Sequence, residues 1–121
     1  MDRIIVIDED KQVRDSVSLS LEMAGYKVLR AVSCPEGLQN HKIFGASVII
    51  SDQVLLEDEW SEPLRRFFQQ SPNFPLITLT ETVPDKTGRA DQHTIRQSSH
   101  TLQKPFTIDE LLATVESALE H

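Results

Sequence analysis

The stretch Val48-Ile49-Ile50-Ser51-Asp52 constrains the fold more than any other. Four uncharged residues, three of them β-branched, run directly into one carboxylate. An apolar run of that length reads as a central strand buried on both faces, the habit of parallel sheets. A carboxylate at its end is costly to place unless it is solvated, paired or used. In open parallel α/β sheets, ligands bind outside the carboxyl ends of the strands. Asp52 is therefore the first candidate for chemistry, set against the plainer reading of a strand-end or capping aspartate.

The other strands fall into line with it. Ile4-Ile5-Val6-Ile7 is a second buried strand, ending in Asp8-Glu9-Asp10. Val13, Val17 and Leu21 follow at helical spacing, with Asp10 as the N-cap and Gly25 as the stop. Tyr26 to Val32 reads as a strand. Pro35 to His41 predicts only a short helix carrying Leu38, and Ile43 and Phe44 lead through Gly45 into the Asp52 strand. Trp60, Leu64, Phe67 and Phe68 predict the third helix, with Pro63 in its first turn, where proline is tolerated. Leu76-Ile77-Thr78-Leu79 is the fourth strand and ends in Thr80 and Glu81.

From Pro84 to Ser99 the only aliphatic residues are Ala90 and Ile95. A fourth helix there has little to bury and is expected to be short or mobile. Thr101-Leu102-Gln103 is a short fifth strand ending in Lys104-Pro105. Thr107 and Glu110 form a capping box for the last helix. Its stripe is Ile108, Leu111, Leu112, Val115, Ala118 and Leu119. Strands alternating with helices imply βαβ units and right-handed crossovers. The expectation is an α/β fold: one doubly wound, five-stranded parallel sheet with helices on both faces, a single domain over residues 1–121.

Charge narrows the function. The net charge is -7, so general nucleic-acid binding through phosphates is excluded, because that needs a basic surface. Cation binding is not. The single cysteine, Cys34, allows no internal disulfide, fits a reducing compartment and reads as structural. No apolar run approaches the ~18 residues of a membrane span. Asp2 and Arg3 precede a short strand, with no signal-peptide pattern, so a cytoplasmic protein without membrane contact is expected.

With every strand parallel, one edge carries Asp8, Glu9 and Asp10, then Asp52, then Thr80, then Lys104. Singly, each has a plain reading: a solvated helix start, a strand-end acid, a β-forming threonine, a surface lysine. Together they describe a site. Two unit charges ~4 Å apart repel by about 4 kcal/mol at an effective dielectric near 20, so either pKa values rise or a cation binds. Oxygen-only donors suit magnesium. A hydroxyl and an ammonium on the same edge suit a tetrahedral anion, and phosphoryl transfer needs mainly positioning and charge neutralisation.

In Ile4-Ile5-Val6-Ile7-Asp8-Glu9-Asp10, Val48-Ile49-Ile50-Ser51-Asp52, Ile77-Thr78-Leu79-Thr80 and Lys104-Pro105-Phe106, the chain resembles a response-regulator receiver domain of bacterial two-component signalling. The resemblance implies a flavodoxin-like sheet of order 2-1-3-4-5. It implies Asp52 as phospho-acceptor, not an enzyme's catalyst, with Thr80 and Lys104 holding the phosphoryl oxygens. Magnesium would be bound by Glu9 and Asp52, by Asp8 through water, and by the carbonyl of Val54. The Lys104-Pro105 bond would be cis. The implied partners are a sensor histidine kinase or phosphotransfer protein, and a second copy meeting through the fourth helix, fifth strand and fifth helix.

The sequence also departs from the family pattern. Leu55-Leu56 and Glu59-Trp60 stand where Met-Pro and Asp-Gly pairs are usual. Glu81 replaces a small residue, and Thr101 takes the aromatic switch position. Two rivals stay open. One is a receiver-like interaction module that works without phosphorylation. The other is a small magnesium-dependent phosphatase using Asp8-Glu9-Asp10, although Gln12 stands where that motif wants threonine. A flavin-nucleotide binder fits poorly, because the first loop is acidic and has no phosphate-cradling glycines.

Overall fold

Val48–Asp52 forms the middle strand, β3, and all five of its residues are buried. The computed structural model describes residues 2–52, 62–80 and 100–120. Around β3 lie β1 (Arg3–Ile7), β2 (Lys27–Ala31), β4 (Leu76–Thr80) and β5 (His100–Gln103). All pairings are parallel and the order is 2-1-3-4-5, the flavodoxin-like arrangement the sequence predicts. The helices are α1 (Lys11–Met23), α2 (Cys34–Phe44), α3 (Glu62–Gln70) and α4 (Ile108–Leu119), the last being the fifth helix of the sequence reading.

Side chains alternate across a strand, so the sheet carries two cores. On one face Ile4, Val6, Val48, Ile50, Ile77 and Leu79 pack with Val17 and Leu21 of α1 and Leu111, Val115 and Ala118 of α4. On the other, Ile5, Ile7, Ile49 and Leu76 pack with Cys34 of α2 and Phe68 of α3. Cys34 is buried, a small residue within the second core. Among the described residues no helix is long and apolar enough to cross a membrane.

The caps follow the sequence closely. Asp10 Oδ1 accepts from the Gln12 N–H at 2.9 Å and starts α1. Gly25, with φ 103°, closes the turn after it. Thr107 and Glu110 form the reciprocal box at the start of α4. The α2 expectation is corrected: the helix runs from Cys34 to Phe44, beyond Pro35 to His41 at both ends. Ser33 caps it through the Glu36 N–H at 3.3 Å, and Glu36 Oε1 accepts from the Val32 N–H at 2.7 Å. Phe44 is drawn into the second core, and Gly45 at φ 71° allows the left-handed exit one residue later. Ile108, read as part of the α4 stripe, is 59% exposed at the start of its helix. The loop expectations for Val54, Leu55-Leu56 and Glu59-Trp60, the side chain of Leu64, Glu81, and the fourth helix lie outside the described residues.

Candidate functional site at the carboxyl edge of the sheet

Strand alternation brings three charges to one corner. Asp8 continues the face of Ile4 and Val6, Asp52 that of Val48 and Ile50, and Lys104 that of Leu102. Both flanking residues extend the ladder beyond their strands: the Asp8 N–H donates to Ala31 O at 3.1 Å, and the Lys104 N–H to Thr80 O at 2.6 Å. The Lys104-Pro105 bond that follows is cis. Lys104 Nζ lies 3.4 Å from Asp8 Oδ2 and 3.8 Å from Asp52 Oδ1. One ammonium thus answers two buried carboxylates on neighbouring strands. A buried carboxylate needs such a partner.

Every polar atom of Asp8 is engaged. Its N–H pairs with Ala31, Oδ1 accepts the Asp10 N–H at 2.9 Å, and Oδ2 faces Lys104. Its carbonyl accepts from Arg14 Nη1 at 2.7 Å. Arg14 is a member of the site that the sequence reading missed. Its signal was present: it follows the core residue Val13 in the first turn of α1, at the edge of the buried face, with a side chain long enough to reach back.

The hydroxyl side of the corner is different. Thr80 is 3% exposed, and its Oγ1 has no hydrogen-bond partner among the described residues. A buried hydroxyl in that condition is unstable on its own terms.

Of the predicted site residues, Asp8, Asp52 and Lys104 are therefore gathered, and Thr80 ends the strand beside β3. Glu9 is exposed, Asp10 is occupied as the cap of α1, and Val54 lies outside the described residues. Among the described residues, no group of three or more carboxylate, imidazole or thiol side chains is assembled as a metal site. Asp8 and Asp52 supply hard oxygen donors, which fit magnesium in kind.

Comparison with known proteins bears on this corner. Residues 4–116 match the family described as the response regulator receiver domain. The chain is 32% identical to the DNA-binding dual master transcriptional regulator RpaA of Synechocystis, over 98% of this chain and 49% of that protein. The chain spans about half the length of the curated relatives it matches. Among solved structures it is similar to the chemotaxis response regulator CheY4 of Vibrio cholerae, at 30% identity and a TM-score of 0.80, over 98% of this chain and 99% of that one. A receiver domain protein from Clostridium thermocellum shares the fold, with a TM-score of 0.82 at 24% identity, over 99% of this chain and 95% of that one.

Proposed function

Because the chain belongs to the response regulator receiver domain family of two-component signalling, we propose that Asp52 is its phospho-acceptor. The donor is a phosphohistidine on a sensor kinase or phosphotransfer protein. A carboxylate oxygen of Asp52 attacks phosphorus in line, the O–P bond forms, and the P–N bond to the histidine breaks. The imidazole leaves with its electron pair. Lys104 stays within reach of Asp52 and holds one oxygen of the transferred group. The Thr80 hydroxyl donates to another. Glu9, Asp52 and the Val54 carbonyl, with Asp8 through water, would hold a magnesium ion, which would neutralise phosphoryl charge.

The observation that carries this reading is Lys104 Nζ within 3.8 Å of Asp52 Oδ1 at the end of the buried central strand. A cation beside a strand-end aspartate suits an incoming dianion, and Thr80, which ends the neighbouring strand, has a buried hydroxyl with no hydrogen-bond partner among the described residues. The acyl phosphate brings roughly one further negative charge and several acceptor oxygens. Those bias a two-state surface that a partner reads. A second copy of the chain, meeting through the fourth helix, fifth strand and fifth helix, is the proposed form of that partner. Regulation of transcription, named for the relatives, is the proposed downstream role, in the cytoplasm.

Incubation with acetyl phosphate and magnesium tests it. One phosphate is expected on the wild type and none on Asp52→Asn. Phosphate mapped to Asp8 or Asp10 instead would overturn the assignment.

A further inference from the structure

The β1–β3 ladder ends with Ile7 opposite Ser51. The Asp8 carbonyl lies past that register, and its partner is the Arg14 guanidinium at 2.7 Å. That carbonyl belongs to the peptide joining Asp8 to Glu9. We propose that Arg14 is a positioning residue for the cation site: its hydrogen bond fixes the Asp8–Glu9 peptide, and with it the backbone from which both acidic side chains project. The inference rests on the magnesium site of the reading above.

Three considerations separate this role from ordinary helix or surface chemistry. A cation in the first turn of a helix opposes the helix dipole, so Arg14 is poorly placed to stabilise α1 for its own sake. Its bond is charge-assisted and directed at a main-chain oxygen, which holds geometry better than a pairing between two mobile side chains. The remaining polar atoms of Asp8 are already held by Ala31, Asp10 and Lys104. Arg14 therefore fixes the one point of Asp8 that the sheet, the loop and Lys104 leave open.

The role has a signature that runs against simple electrostatics. A positive charge near a metal site repels the metal, so removing it tightens binding if charge is all that matters. A positioning role predicts the reverse. Partners that orient ligands typically contribute about 10- to 100-fold in metal affinity.

The experiment titrates magnesium chloride into the wild type, Arg14→Met and Arg14→Lys by calorimetry, with the metal-free melting temperature of each recorded separately. Arg14→Met keeps most of the aliphatic stem and removes donor and charge. Its magnesium affinity is expected to fall about 10- to 100-fold. Arg14→Lys keeps the charge with a shorter reach and is expected to fall between the two. A merely structural residue moves the melting temperature and leaves the affinity unchanged, which overturns the proposal, as does tighter binding by Arg14→Met. If Arg14→Met does not fold, Arg14→Lys decides: weakened binding supports the role, and wild-type affinity overturns it. A wild type that binds no magnesium overturns the metal reading and this role together, and so is distinguishable from failure of the role alone.

Discussion

His41 Nδ1 accepts the backbone N–H of Ala46 at 3.0 Å. A ring nitrogen that accepts is unprotonated, so His41 is neutral and carries its proton on Nε2. The Phe67 and Phe74 rings stand nearly edge-on to it, at centroid distances of 5.2 and 5.0 Å. Burial holds its pKa below the ordinary 6.5. The unfolded chain therefore binds a proton at a higher pH than the folded one, and stability rises with pH. The histidine contribution is intact above about pH 6.5 and is lost as pH falls from there through the lower, folded value. Lys42, Glu62 and Arg66 are the charged side chains of the adjoining groove between α2 and α3. Urea midpoints between pH 7.5 and 5.5 should fall for the wild type and fall less for His41→Gln. Parallel declines would assign the effect to another group.

Gly37 should resist substitution, although it lies within α2, as the fourth residue of the helix. Elsewhere in a helix interior, Gly→Ala gains about 1 kcal/mol. Here a Cβ on Gly37 would press into the buried Ile7 side chain, lying 2.9 Å from Cγ1 and closer still to Cδ1. Overpacking of this kind costs about 1–3 kcal/mol. Gly37→Ala is expected to destabilise, and Ile7→Val, which removes Cδ1, should recover part of the loss in the double mutant. Strict additivity of the two changes in chemical denaturation would refute the contact.

Thr80 and Ser18 provide a paired test of why a protein keeps a buried hydroxyl without a partner. Both oxygens are in that state among the described residues, Ser18 inside α1 and Thr80 at the site edge. Removing such a group should stabilise by about 1 kcal/mol in each case. Thr80→Val and Ser18→Ala are therefore both expected to raise the urea midpoint. Beryllium fluoride, a phosphoryl mimic, should stabilise the wild type and Ser18→Ala further, and Thr80→Val much less. Equal stabilisation of all three would remove Thr80 from the phosphoryl site.

Much of this architecture was legible because the signals are local. The runs ending at Ile7, Asp52 and Thr80 are β-branched and apolar, and a strand buried on both faces needs nothing more. Asp10 and the Thr107–Glu110 box announce their helices in four residues or fewer. The terminal signals of α2 are Ser33 and Gly45, which lie outside the Pro35 to His41 span. Ile108 matched the helical period but sits in the first turn, where the helix has not yet met the sheet. The strand order came from resemblance, since periodicity cannot order strands. Arg14 had a signal in its place beside Val13 but no indication of its partner carbonyl, and His41 had none, because its partner is an amide beyond its helix that only folding supplies.

The double burial of β3 has a consequence for how the chain tolerates change in length. Val48 and Ile50 belong to one core and Ile49 to the other, so the strand works as a ruler with its zero fixed by two sets of neighbours. One residue added within it would advance the chain by about 3.3 Å and turn Asp52 to the opposite face, away from Lys104. The same residue added beside the exposed Gly45, ahead of the ruler, would leave the carboxylate where it is. Insertions on either side of Val48 are thus unequal events, one absorbed as slack and the other read out as a lost charge pair.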